Sequence, residues 1–307
     1  MSAPSIGVIG GGGFGKGVAR AIARGGHEVI QWSRRGAPSG ERVRATDDMN
    51  EIGACALIFV AVPSMHVPSV APDLAAHLDG RHMLVHVSRG LIGEQLQTVS
   101  RYLATHTPAR RVGCLAGPLN PTILEGGQPG GAIVGSRFPE VARAVKEALS
   151  GPTLRLYESE DVVGVEVASA MVGLLAMQAG FCLERRISPS AMGVMMTRGL
   201  AEAARVGVKL GGHAETFNGL AGAGDLFAAI AGDERSEVLL GRALAQDVPI
   251  EEAGRRAGAY IEGLSIARRI AQFAVTSGVE APICAVTADV LDGKLSVEQG
   301  LKTLMIR

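Results

Sequence analysis

Residues 5–35 read SIGVIGGGGFGKGVARAIARGGHEVIQWSRR. Ile6 to Ile9 is a short apolar run, the pattern of a buried strand. Gly10, Gly12 and Gly15 follow as G-x-G-x-x-G, Lys16 to Arg24 has helical character, and Glu28 to Trp32 is a second apolar run. The order is strand, glycine turn, helix, strand. Gly10 suits a tight turn, Gly12 leaves room for a pyrophosphate to approach the backbone, and Gly15 lets helix and strand pack closely. The amino end of the helix then offers free N–H groups and a partial positive charge to an anion. In this context the turn, with Gly13 and Phe14 on it, predicts a dinucleotide site. The competing reading is a glycine-rich turn that has lost its ligand.

Strand and helix patterns continue to alternate through the first half. Leu57 to Val62, Met83 to Val87, Arg111 to Cys114, Ala132 to Val134 and Leu154 to Tyr157 read as strands, and Val141 to Leu149 as a helix. Alternation of this kind predicts a doubly wound α/β domain of Rossmann type, with a mostly parallel sheet. Ligands of such sheets lie outside the carboxyl ends of the strands. Ala61-Val62-Pro63-Ser64 and Ser88-Arg89-Gly90 fall at such ends, which makes Val62 and Pro63 candidates for cofactor contact. The second strand ends in Ser33-Arg34-Arg35, where an acidic residue would bind a ribose 2′-hydroxyl. Arginine there suits the 2′-phosphate of NADP, so NADP is favoured over NAD, with Ser33 and Arg34 beside it. The competing reading is a pair of solvated loop charges.

From about Asp161 the runs become long, rich in Ala, Met and Leu, and helical in period. They predict an all-α domain over 161–307, joined to a dinucleotide-binding domain over 1–160. The apolar stretch from about Val167 to Leu183 has apolar residues on all sides and is slightly short for a bilayer, which predicts a buried helix and no membrane span. The 307 residues carry 30 basic and 30 acidic side chains, a formal net charge of zero that argues against nucleic acid or an anionic membrane as partner. Cys55, Cys114, Cys182 and Cys284 are scattered without C-x-x-C spacing. That spacing suggests small buried residues in a reducing cytoplasm, neither a disulfide framework nor a metal site. The amino terminus lacks the basic and apolar segments of a signal peptide.

GGGGFGKGVA, LIFVAVPS, VSRGL, GVEVASA (164–170), TRGLAEAARVGVKLGG (197–212), ETFNGLAGAGDL (215–226), IEGLSIA (261–267) and GVEAPI (278–283) together carry a resemblance. The chain resembles the NAD(P)-dependent sn-glycerol-3-phosphate dehydrogenases over nearly its whole length. The block from Thr197 to Leu226 is its most specific part. The resemblance implies a Rossmann domain plus a helical domain of the 6-phosphogluconate dehydrogenase C-terminal type, with the active site between them. It implies NADP or NAD as cofactor, a small anionic carbonyl or alcohol as substrate, and an oxidoreductase activity. A cytoplasmic homodimer is the expected assembly.

The departures from the family pattern fall in the acid–base half. The family's catalytic Lys-Asn pair corresponds to Val172 and Gly173. Its Thr four residues after Asp225 becomes Ala229, its Arg-Asn pair becomes Arg235-Ser236, the Lys of its KG turn becomes Arg89, and a Lys on the next helix becomes Met192. Ketone reduction needs a group that polarises the carbonyl and protonates the alkoxide; Val172 provides neither. Asp225, Arg89 and Arg235 remain as the residues expected to surround the substrate. Arginine suits a phosphate or carboxylate but is a poor proton donor.

Other candidates are weaker. His66, His86 and Tyr260 could each donate a proton, against the blander readings of a helix start, a buried strand residue and a structural ring. Glu262 would contact cofactor by resemblance, or else cap a helix. Glu166 reads as a charge near a helix amino end, and Glu184-Arg185-Arg186 as a solvated connection. Two functional alternatives stand beside the leading reading: a reductase of a different small carbonyl or an imine, and a non-catalytic dinucleotide sensor.

Overall fold

The structure is a computed structural model that describes residues 5–36, 39–126, 128–149, 151–232, 235–257 and 263–306. It opens with β1 (Ile6–Ile9), α1 (Gly13–Arg24), β2 (Val29–Trp32), β3 (Val43–Thr46), α2 (Met49–Gly53) and β4 (Leu57–Val60). Then come α3 (Val67–Ala75), β5 (Met83–His86), α4 (Val99–His106), β6 (Arg111–Ala116), α5 (Pro121–Gly126), β7 (Gly130–Ser136), α6 (Pro139–Leu149) and β8 (Leu154–Ser159). The eight strands form one sheet in the order β3-β2-β1-β4-β5-β6-β7-β8. Every pairing is parallel except β6 with β7. β1 and β4 are wholly buried, as strands covered on both faces must be, and so read as unbroken apolar runs.

The antiparallel step has a local cause. After β6 the chain does not return to the far end of the sheet; α5 packs on α1 instead, so β7 enters from the end where β6 finished. β3 escapes the sequence pattern because it is a four-residue edge strand with Val43 alone fully buried. Short edge strands carry little periodic signal.

The second half is helical: α7 (Val162–Glu184), α8 (Pro189–Lys209), α9 (Asp225–Ala231), α10 (Ser236–Ala245), α11 (Ile250–Ala257), α12 (Gly263–Ser277), α13 (Pro282–Leu291) and α14 (Val297–Ile306). Among the described residues no strand follows β8. A 3-10 segment (Ala214–Asn218) and a π-type turn (Leu220–Gly224) lead into α9. α7 starts at Asp161, whose carboxylate caps the helix through the Gly164 amide (2.9 Å) and also accepts from the His213 amide (2.9 Å) and the Thr216 hydroxyl (2.5 Å). Two long helical segments are thereby tied at one residue.

α7 is long and apolar enough to cross a membrane by length and composition, but its most apolar window is 94% buried inside the fold. It is the central helix of the second half. It packs on α8 and α10 along its length and on β6 and β7 near its start, so it also joins the two halves.

Candidate active site

The carboxyl ends of β1, β2, β4 and β5 converge on the glycine turn. The Gly10 amide donates to the Trp32 carbonyl (2.8 Å), and the Ala61 amide to the Ile9 carbonyl (2.7 Å). Gln31, fully buried on β2, donates its side-chain amide to the Gly10 carbonyl (2.8 Å) and fixes the turn from beneath. Sequence reasoning missed this role; its signal is a lone amide within an apolar strand.

Gly10 has φ +128°, and a side chain there would begin 2.3 Å from the Ala61 carbonyl oxygen. One at Gly15 would begin 2.3 Å from the Gly10 carbonyl oxygen, so helix and strand touch through bare backbone. Gly12 differs: a Cβ there meets nothing within 4 Å. It is the N-cap of α1, no side chain caps the helix, and the first turn holds no acidic residue. The free N–H groups of that turn therefore face open space, the arrangement that fits a dinucleotide pyrophosphate. Ser33 and exposed Arg34 follow β2, and half-buried Val62 and Pro63 follow β4, all at this end of the sheet. Glu262 and Tyr260 lie outside the described residues.

Arg89, Asp225 and Arg235 come together as one charge cluster, although 136 residues separate Arg89 from Asp225. Arg89 lies just past β5, Asp225 at the amino end of α9, and Arg235 just before α10. Arg89 donates to Asp225 Oδ2 (2.8 Å) and to the carbonyls of Leu119 (2.6 Å) and Gly117 (3.3 Å). Arg235 donates to Asp225 Oδ1 (2.9 Å) and, through Nε, to Glu237 Oε2 (3.2 Å). The Asp225 side chain is only 2% exposed, whereas Arg89 and Arg235 keep 20% and 13%. The carboxylate is thus the buried hub, and the two arginine side chains around it keep only a small exposed part.

Burial and the nearby Arg235 charge lower the Arg89 pKa, with Asp225 opposing. For Arg235, burial works against the charged form, but Asp225 and Glu237 outweigh it and raise the pKa. Burial likewise disfavours ionised Glu237, yet the two arginines hold its pKa below the usual carboxylate value. Glu237 was not foreseen from sequence. It stands two residues from Arg235 in the first turn of α10, where a negative charge also suits the helix dipole. The cluster reaches the glycine turn through the Arg89 guanidinium carbon, 6.0 Å from the centroid of the Phe14 ring.

The remaining positions are apolar. Val172 is fully buried in a cluster with Leu175, Met195, Met196 and Leu226, with Met192 packed against it. Ala229 is buried beside Ala176 and Val238. Glu237 Oε1 lies 3.6 Å from where a side chain at Gly173 would begin. His66 is half buried in the turn before α3. His86 is 1% exposed and sits against Glu166, not against solvent. Glu166, near the start of α7, accepts from the Val99 (2.7 Å) and Ser100 (3.3 Å) amides at the start of α4. Glu184 and Arg185 make surface contacts with Gln246 and Asp247.

A glycine-turn Rossmann sheet joined by one buried helix to an all-helical half, with an ion cluster at the seam, defines a two-domain nicotinamide-nucleotide dehydrogenase. The chain belongs to the NAD-dependent glycerol-3-phosphate dehydrogenase family: the model of the family's amino-terminal part matches residues 35–137 and that of its carboxyl-terminal part residues 161–302. The chain is 32% identical to a glycerol-3-phosphate dehydrogenase, NAD(P)+, of Azorhizobium caulinodans, over 98% of this chain and 96% of that protein. It is also 32% identical to that of Synechococcus elongatus, over 98% and 95%. A solved glycerol-3-phosphate dehydrogenase from Coxiella burnetii shares the fold, with TM-score 0.93 and 24% identity over 99% of both chains.

Proposed function

We propose that the chain transfers hydride between NADP(H) or NAD(H), held along Gly10, Gly12, Gly13, Phe14 and Gly15, and a small anionic carbonyl or alcohol. Dihydroxyacetone phosphate and glycerol 3-phosphate are the best single pair. The domains would divide the work, 1–160 holding cofactor and 161–307 closing over substrate. The observation that carries this reading is the Arg89–Asp225–Arg235 cluster, which meets the dinucleotide turn at Phe14.

Bound nicotinamide supplies or accepts the hydride. Arg89 and Arg235 would offer their positive charge to an anionic substrate, and Asp225 fixes both by accepting from each. Phe14 and Pro63 would exclude water from the nicotinamide side. Arg34 would meet a 2′-phosphate, which favours NADP. The cluster contains no group that gives up a proton readily near neutrality, since arginine stays protonated and Glu237 is held ionised. Loss of one electrostatic catalytic group costs about 10²–10³ in rate, so turnover of dihydroxyacetone phosphate is expected to be slow.

Burial of Val172 in an apolar cluster supports a second reading, in which the substrate is another carbonyl or an already protonated imine, or the protein reports cofactor without turning over. The balanced composition supports a protein that binds neither nucleic acid nor membrane, and the four scattered, buried cysteines support the cytoplasm. A homodimer is the assembly to test by sedimentation. The deciding experiment follows absorbance of NADPH and NADH with dihydroxyacetone phosphate and a panel of keto acids and imines, alongside cofactor fluorescence. Turnover of dihydroxyacetone phosphate upholds the leading reading. Tight cofactor binding with no turnover of any substrate favours the sensor, and no binding of either nucleotide sinks both. Arg34→Ala should weaken NADPH binding about tenfold and leave NADH unchanged.

A further inference from the structure

The strongest polar feature away from the cleft lies inside the seam between the halves. His86 ends β5 and pairs directly in register with Cys114 on β6, so both side chains leave the same face of the sheet. α7 packs on that face and brings Glu166 to them. The ligand atoms of His86, Cys114 and Glu166 lie within 4.8 Å of one another, and all three residues are buried. We propose that these three side chains form a site for one divalent transition-metal ion of the zinc class.

Three observations carry this. The first is unsatisfied polarity. His86 Nε2 is 3.0 Å from Glu166 Oε2 but outside hydrogen-bond geometry, and His86 Nδ1 and Glu166 Oε1 have no partner among the described residues. The hydroxyls of Ser100 and Ser169 nearby are buried and unpartnered too. Buried polar groups are almost always matched, so a cluster of unmatched ones in one place points to a bound species. The second is orientation. The Val99 and Ser100 amides hold Glu166 Oε2 and leave Oε1 unpartnered, the kind of outer support that fixes a ligating carboxylate.

The third is the donor set. One imidazole, one thiolate and one carboxylate suit zinc, with a fourth position left for water; hard calcium or magnesium prefer oxygen alone. Bond lengths of about 2.0–2.3 Å put tetrahedral ligands about 3.3–3.8 Å apart, which side-chain rotations of about 1 Å would reach. The charges also balance: a dication, a thiolate, a carboxylate and a neutral imidazole sum to zero, which suits a dry interior. Burial, reinforced by the Glu166 charge, raises the Cys114 pKa well above the usual thiol value. Loading therefore exchanges the thiol proton for the metal, and that proton leaves to bulk solvent. The site would staple α7 to the sheet at the domain seam.

The test uses full-length protein purified without chelator or affinity metal. Elemental analysis should find about one zinc per chain. Cys114→Ser and His86→Gln should each cut the content to below about a tenth, while Cys55→Ser, a buried cysteine elsewhere, keeps it. Because the seam variants could misfold, wild-type protein refolded with cobalt(II) provides a second readout. A thiolate-to-cobalt charge-transfer band with intense tetrahedral absorption is expected. Zinc-free protein with no such band, or a band that persists in folded Cys114→Ser, overturns the proposal and leaves His86 and Glu166 as a buried close pair without metal.

Discussion

The two halves of the molecule build their chemistry from different materials. In the Rossmann half the site is backbone: Gly10, Gly12 and Gly15 supply shape and N–H groups, and Gln31 holds the turn through a carbonyl. In the helical half the site is side chain: Asp225 at the start of α9, Arg235 and Glu237 at the start of α10, while Val172 packs in an apolar cluster with Leu226. A backbone cradle tolerates few residues at its tight points, because steric contact forbids a Cβ. A side-chain site can change its chemistry without changing the fold. On the proposed reading, the cofactor end keeps its form while the acid–base end changes.

The sharpest way to break this contrast is Val172→Lys. An ammonium buried in that apolar cluster has its pKa driven down by up to about 5 units, a difference of about 7 kcal/mol between its charged and neutral forms. The expected result is a large fall in the urea midpoint with no gain in dihydroxyacetone phosphate reduction. A variant that keeps its stability and gains activity would show the ammonium reaching Asp225, and the helical half would then be as intact as the other. Next in size is Asp225→Ala. It strands two largely buried guanidinium groups, at about 3–5 kcal/mol. The urea midpoint should fall accordingly while NADPH affinity holds, because the glycine turn is untouched.

Gly12→Val tests the other half. The N-cap backbone is extended and the space around it is open, so the fold should survive, with a shift in thermal midpoint within about 2–4 °C. Cofactor affinity should fall about a hundredfold, or about 2.7 kcal/mol, read by NADPH fluorescence titration. Unchanged affinity would remove the dinucleotide from this turn.

Legibility from sequence follows the same division. The glycine turn, β1, β4 and β5 were readable because fully buried strands give unbroken apolar runs and the turn demands glycine. α7 was readable as a buried helix because it is apolar all round. The edge strand β3 and the antiparallel step at β7 were not, since one is too short for periodicity and the other depends on where α5 packs. Asp225, Arg89 and Arg235 were found through family resemblance, but their mutual pairing was not, nor was Glu237. Arg89 pairs with Asp225 across 136 positions, and the shorter Arg235 contacts depend on how the segment before α10 turns, so only the fold sets them. His86 and Cys114 show the same limit: the scattered cysteines gave no hint that strand register sets one of them opposite a histidine.

Glu237 gives the smallest and most discriminating effect. Its pKa in the fold lies below the unfolded value because Arg235 and Arg89 outweigh the cost of burial. The folded state therefore binds fewer protons than the unfolded chain across that interval, and stability rises with pH there. The increment is fully present above the ordinary Glu pKa of about 4.3 and is lost as pH falls through the lower folded value. Glu237→Gln cannot ionise and lacks the increment at every pH. The variant should be less stable at pH 7 by under about 1 kcal/mol, since Arg235 retains Asp225. The two urea midpoints should converge as pH falls below the ordinary Glu pKa of about 4.3. Parallel curves from pH 7 to pH 3 would mean that Glu237 fills space beside Gly173 and contributes no charge, leaving Asp225 as the sole anion that holds the two arginines.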